Sequence, residues 1–164
     1  MDYFFVLQNV QSIRQQAQAA EVLPNLISAS LNIVKTYSLA LIMTLQKVLS
    51  PDYTVRTFLN FIEENSVTDI QIGVINSLAI IAPHDQETVS EYSEPIIRLL
   101  CAHLHKQTRR RLVLSILNTL QVLLSPEAST INIMTQATEI LAACTSLLEE
   151  TQSRKTRIAI LKVV

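Results

Sequence analysis

An all-α chain of stacked helix pairs is what three observations on this sequence predict. Three stretches read as variations on one phrase: TLQKVLSPD (Thr44 to Asp52), SLAIIAPHD (Ser77 to Asp85) and TLQVLLSPE (Thr119 to Glu127). Each closes an apolar helical pattern with a proline and an acid, and they begin 33 and 42 residues apart, which is repeat spacing. Apolar residues recur at three- and four-residue spacing along the chain, and no run fits strand alternation as well. A unit of this size holds two helices and cannot bury its apolar face alone, so neighbours must stack. The expected fold is an all-α, right-handed α-solenoid of antiparallel helix pairs, about three and a half repeats long.

Composition narrows the function classes. Of 164 residues, 49% are apolar and 16% charged, which excludes general disorder. The one glycine, Gly73, falls far below the usual ~7%, whereas sheet turns, phosphate cradles and oxyanion corners rely on glycine. Net charge is −1 from 13 basic and 14 acidic residues, so no whole-molecule field recruits nucleic acid or anionic membrane. Residues 1–82 carry four basic and six acidic side chains and residues 83–164 carry nine and eight, so local patches remain open. Cys101 and Cys144 lie in apolar helical patterns, where a free thiol behaves as a small hydrophobe and suits a reducing compartment. The N-terminal MDYFFVLQNVQSIR lacks the features of a signal peptide, and the most apolar stretch, Leu39 to Leu49, is too short to span a bilayer. An intracellular chain, cytoplasmic or nuclear, is expected.

The elements follow in order. A first helix from Asp2 to about Ala20 carries Tyr3, Val6, Val10 and Ile13 as one stripe and serves as a cap or half-repeat. Pro24 suits the first turn of the next helix, with Ile27, Leu31 and Val34 on one face, and Tyr37 to Leu49 follows a break near Lys35-Thr36. Ser50-Pro51 opens a third helix, as cap and first-turn proline, running to about Glu64. Asn65, Ser66 and Thr68 form a turn before a helix bearing Ile72, Ile75, Leu78 and Ile81. Residues 86–104 form a helix with a kink or break near Glu94, because Pro95 lies within it. Lys106 to Thr108 turn into the helix Arg109 to Leu124, with Thr108 a candidate cap; Ser125-Pro126 begins another ending at Glu149-Glu150. Gln152-Ser153 turns into a last helix bearing Ile158, Leu161 and Val164. Ile72, Ile75 and Leu78 correspond to Leu114, Leu117 and Leu120 at an offset of 42, and those to Ile158, Leu161 and Val164 at 44. Repeats are placed at about 24–49, 51–82, 86–124 and 126–164 of a single domain, 1–164. A solenoid end needs a polar outer face and this one is apolar, so a segment of a longer array is expected.

The pattern resembles the HEAT-repeat family and its armadillo relatives: helix pairs of about 40 residues, a proline in or before the first helix and a charged residue opening the second. Pro51, Pro95 and Pro126 match the first feature; Asp69, Arg109 to Arg111 and Arg154 to Arg157 match the second. The resemblance covers residues 24–164, and the first full unit departs from it with Lys35-Thr36-Tyr37 at its turn. It implies a non-catalytic scaffold or adaptor that binds protein partners and needs no cofactor. Tubulin-binding TOG arrays of this kind use a tryptophan in the first such turn, and this chain has none.

The sharpest local feature is Lys106, Arg109, Arg110 and Arg111, with Arg154, Lys155 and Arg157 one unit later. Arginines at a helix start oppose the macrodipole at a cost of about 0.3–1 kcal/mol each, which hints at an outside partner. An acidic protein face or peptide suits arginine forks. The competing reading is a rim that neutralises itself through Glu63, Glu64, Asp69, Glu149 and Glu150. The alternative function is binding of nucleic-acid phosphates along the cations of 106–111 and 154–157. Cys101, His103 and His105 do not make a metal site, since position 103 points roughly 160° away from the other two on a helix. Asp85, Glu87, Glu91 and Glu94 favour a helix start, and the three glutamates form a small acidic face. No nucleophile sits beside a histidine in a motif, and no phosphate loop or dinucleotide fingerprint occurs, so catalysis is not expected. The chain is read as a monomer or as part of a larger complex.

Overall fold

The computed structural model describes residues 13–53, 64–106, 109–125 and 136–164. Among these there is no strand. The helices are α1 (Ile13–Ala29), α2 (Val34–Val48), α3 (Glu64–Ile81), α4 (Gln86–Glu91), α5 (Ser93–Lys106), α6 (Arg110–Leu123), α7 (Ala137–Glu150) and α8 (Arg154–Val163), with one turn of 3₁₀-helix at Leu31–Ile33. The chain is all-α. The expected N-terminal stripe on Tyr3, Val6 and Val10, most of the helix opened by Ser50-Pro51, and Thr108 lie outside the described residues.

The helices form two rows. In one row α1 packs on α3, α3 on α6 and α6 on α8; in the other, α2 meets α4 and α5, and α5 meets α7. Contacts of α2 with α3, α5 with α6 and α7 with α8 join the rows. One apolar cluster runs through the joint from Ala19 to Ile160 without a break. The core is therefore shared by both rows.

Local sequence explains most helix ends. After α2, Ser50 Oγ accepts the Tyr53 N–H at 3.3 Å and donates to the Lys47 carbonyl at 2.8 Å, so Ser50 caps the helix that Pro51 starts. Ser125 repeats the second bond, donating to the Val122 carbonyl at 2.9 Å. The residue that opens each repeated phrase, Thr44, Ser77 or Thr119, is buried and gives its hydroxyl proton to a backbone carbonyl. For Thr44 and Ser77 that carbonyl is four residues back, at Ala40 and Gly73. For Thr119 it belongs to Ile75 on α3, at 3.2 Å, so the same residue type there ties two helices together. Two more polar pins cross between helices. Gln71 Nε2 donates to the Val48 carbonyl at the end of α2 (3.1 Å), and the Ser115 hydroxyl donates to Asn76 Oδ1 (2.5 Å). A buried polar group without a partner would cost about 1–3 kcal/mol, so such pins fix register where apolar contact is tolerant.

Several expectations are corrected. Pro24 does not open a helix; it lies inside α1, which runs unbroken from Ile13 to Ala29. Proline has no amide proton, so the carbonyl four residues back, that of Ala20, loses its helical donor. Gly73 of α3 sits against that carbonyl: a Cβ at position 73 would lie 2.1 Å from the Ala20 oxygen. The single glycine thus permits a close helix crossing and makes no turn, with its Cα–H directed at the oxygen that Pro24 leaves over. The turn expected at Asn65, Ser66 and Thr68 is helical, because α3 already begins at Glu64; Ser66 and Thr68 are buried in packing that overrides their capping preference. The kink or break expected near Glu94 is present, as a break at Tyr92 between α4 and α5. Pro95 then occupies the third position of α5, where its missing N–H removes no intrahelical bond. On α8 the buried positions are Thr156 and Ile160, and the stripe Ile158, Leu161 and Val164 faces outward.

Both cysteines are buried, Cys101 on α5 and Cys144 on α7. Burial pushes the Cys101 thiol up to about 12, helped by the charge of Glu139 and by Cys144; burial also raises Cys144. Thiolate is the reactive form, so neither residue reacts with a thiol-specific disulfide reagent at pH 8 in native protein, and both react at once in denaturant. Rapid native-state labelling of either cysteine would contradict this packing.

Candidate functional site

The charged rim is built where α6 and α8 begin. Arg109 takes extended backbone at the α6 N-cap (φ −83°, ψ 104°) and makes no side-chain cap. Its guanidinium instead donates to the hydroxyl of Thr68 on α3, 41 residues earlier. Arg111 reaches Asp69 on the same helix, with Nη1 3.2 Å from Oδ1. That pair is exposed and therefore worth about 0–1 kcal/mol. Arg109 and Arg111 are thus both engaged within the fold, and of the two Arg111 is held by an opposite charge. Glu63 lies outside the described residues, as do the side chains of Glu64 and Lys106.

Arg110, Arg154, Lys155 and Arg157 stand differently. All four are exposed, and among the described residues none has an ion-pair partner. Offsets of 44 align Arg110 with Arg154 and Arg111 with Lys155, on helices that pack side by side. Packed helices typically have axes about 8–10 Å apart, and Arg110 lines one groove with Ser153, the residue before Arg154. Between the two helix starts lies a groove of about 430 Å³ lined by Arg110, Val113, Leu147, Glu150, Gln152 and Ser153, among others. Ser153 caps α8, accepting the Thr156 N–H at 3.4 Å, and its own N–H is accepted by Thr151 Oγ1 at 3.3 Å. A planar guanidinium beside two helix N-termini is suited to a carboxylate, which both the fork geometry and the macrodipoles favour. Glu150, the last residue of α7, also lines the groove, and among the described residues neither it nor Glu149 is paired to these cations.

A second cleft lies at the α3–α4 turn, lined by Lys35, Pro83, His84, Asp85, Gln86 and Glu87. Asp85 is buried there and caps α4 through the Thr88 N–H at 3.4 Å. Burial alone would raise its carboxyl pKa, but hydrogen bonds from Ser38 and Thr88 and the charge of Lys35 outweigh it and hold the group below its ordinary 3.8. A carboxylate whose pKa is lower folded than unfolded contributes stability above the unfolded value and loses it as pH falls through the folded one. Wild-type protein should therefore exceed Asp85→Asn in urea midpoint at pH 7. The gap should close as the buffer is taken below about pH 4, and a gap independent of pH would disprove the assignment.

The acidic face expected on Glu87, Glu91 and Glu94 is divided by the break at Tyr92: the first two belong to α4, the third to α5. Glu94 pairs with Arg98 at 2.8 Å, an exposed i,i+4 contact. Among the described residues no group of three or more His, Cys, Asp or Glu could hold a metal, and no helix is long and apolar enough to cross a membrane. His103 is half-buried, its Nδ1 3.1 Å from the Leu99 carbonyl. Sequence reasoning passed over Gln71, Asn76 and Ser115, the pins between helices. The available signal was their polarity within otherwise apolar stripes.

No protein-family model, curated protein or solved structure matches this chain.

Proposed function

We propose that the protein is a right-handed, HEAT-like α-solenoid that acts as a non-catalytic scaffold and binds an acidic surface or peptide of a protein partner through the rim. The observation that carries this reading is the division of the rim cations. Arg109 and Arg111 bind α3, while Arg110 lines an open groove that reaches Ser153 at the start of α8, where Arg154 and Lys155 follow, and none of these three cations has an acid paired to it among the described residues. Like charges held together at exposed helix starts cost stability, and an outside carboxylate would relieve that cost. Two serial rows sharing one core support the stacked-pair architecture, whose long faces and rims suit adaptors.

Changing Arg110, Arg154 and Lys155 together to glutamate tests the site and leaves the Arg109 and Arg111 contacts in place. Affinity capture with quantitative mass spectrometry should lose a defined set of proteins relative to wild type. Identical sets would remove the rim from the function. Filter binding at low salt separates the rival reading: retention of duplex or single-stranded probes, falling steeply with salt, would replace the protein partner by nucleic acid.

A further inference from the structure

We infer that the cleft at the α3–α4 turn binds an arginine side chain of a protein partner, toward the opposite end of α3 from the rim groove. Asp85 carries the argument. It lines the cleft and is 3% exposed. Its Oδ1 accepts the Thr88 N–H, whereas Oδ2 is buried and has no hydrogen-bond partner. A buried acceptor left in this state costs about 1–3 kcal/mol, and a charged one more. Lys35 lines the same cleft and its charge acts on Asp85, yet among the described residues the two form no ion pair. A nitrogen donor entering from outside would satisfy Oδ2, and a cationic one would gain the attraction of the carboxylate as well.

The surroundings select a cation, and a planar one. Glu87, which is exposed, brings a second carboxylate to the cleft. The 18-residue α3 ends here, and the negative pole of its dipole favours positive charge. Pro83 has no N–H to give the Ala79 carbonyl, and the His84 N–H goes to the Ile81 carbonyl at 2.8 Å, so neither Ala79 nor Ile80 receives its helical donor. Pro83 and His84 line the cleft and are exposed, and an imidazole face is a surface on which a guanidinium stacks. A lysine ammonium, compact and strongly hydrated, gains little from such a flank. The cleft, of about 470 Å³, is distinct from the rim. The rim contacts reach α3 at Thr68 and Asp69, and Ile81 lies about 18 Å further along the helix axis.

The probe is N-acetyl-arginine methylamide, compared with its citrulline counterpart, a neutral molecule of nearly the same shape, in proton–nitrogen NMR titrations of the full chain. The arginine probe should shift the amide signals of residues 84–88 with a dissociation constant of about 1–10 mM, and the citrulline probe should bind at least about tenfold more weakly. Lys35→Gln removes a competing positive charge and should tighten the arginine probe about two- to threefold. Asp85→Asn should weaken it by about tenfold or more. Because Asp85 also caps α4, the gain in Lys35→Gln is the readout that a purely structural Asp85 would not give. Arg110→Glu, which alters the rim groove, should leave probe affinity within about twofold, so failure here and failure of the rim reading are distinguishable. Equal binding of the two probes, no shift with arginine up to about 50 mM, or unchanged affinity in Lys35→Gln would overturn the inference. So would equal affinity for N-acetyl-lysine methylamide, since the planar head group would then not be what the cleft reads.

Discussion

Gly73→Ala destabilises the fold by about 2 kcal/mol, although alanine is the better helix former by about 1 kcal/mol. The new Cβ would lie 2.1 Å from the Ala20 oxygen, 2.5 Å from its carbonyl carbon and 2.8 Å from its Cβ. The two nearest atoms are backbone, so no rotamer change relieves the overlap and α1 must move off α3 by an ångström or more. Overpacking of this kind typically costs about 1–3 kcal/mol, and a clash with a main chain belongs at the upper end. Thermal unfolding should show a midpoint lower by about 4–8 °C. Combining Gly73→Ala with Ala20→Gly should restore only part of the loss, because it removes the side-chain contact and leaves the two shorter ones. A variant as stable as wild type would mean that α1 and α3 do not cross at this distance.

Leu117→Ala should cost about 3 kcal/mol and Leu161→Ala less than about 0.5 kcal/mol, although the two leucines lie 44 residues apart in matching apolar patterns. Leu117 is enclosed in the joint of α6 with its neighbours, so truncation leaves a cavity whose walls relax only in part. Leu161 faces outward, and its truncation removes little that folding had buried. Urea denaturation with a shared m-value gives both numbers. Equal losses would place Leu161 inside a joint and contradict the outward face of α8.

These contrasts show where the sequence is legible. The Ser-Pro phrase marks a helix end because it acts within four residues: the hydroxyl caps, the proline starts, and both are seen at Ser50 and Pro51. The apolar stripes Ile75–Leu78 and Leu117–Leu120 were readable for the same reason, since periodicity depends only on the chain's own geometry, and both are buried. Pro24 and the Asn65–Thr68 segment were misread because packing overrode local preference. A proline inside a helix is tolerated where a glycine on the next helix fills the notch, and serines and threonines stay helical where a neighbour buries them.

By itself the sequence determined helices, most of their ends, and the stripes that stack α3 on α6, all set by interactions within a turn or two. Only the tertiary structure decided that Arg109 and Arg111 are engaged while Arg110 and Arg154 are not, that Gly73 serves a crossing, and that the apolar stripe of α8 looks outward. Each of those outcomes depends on atoms of helices some forty or more residues away, and no local pattern carries the distance between them.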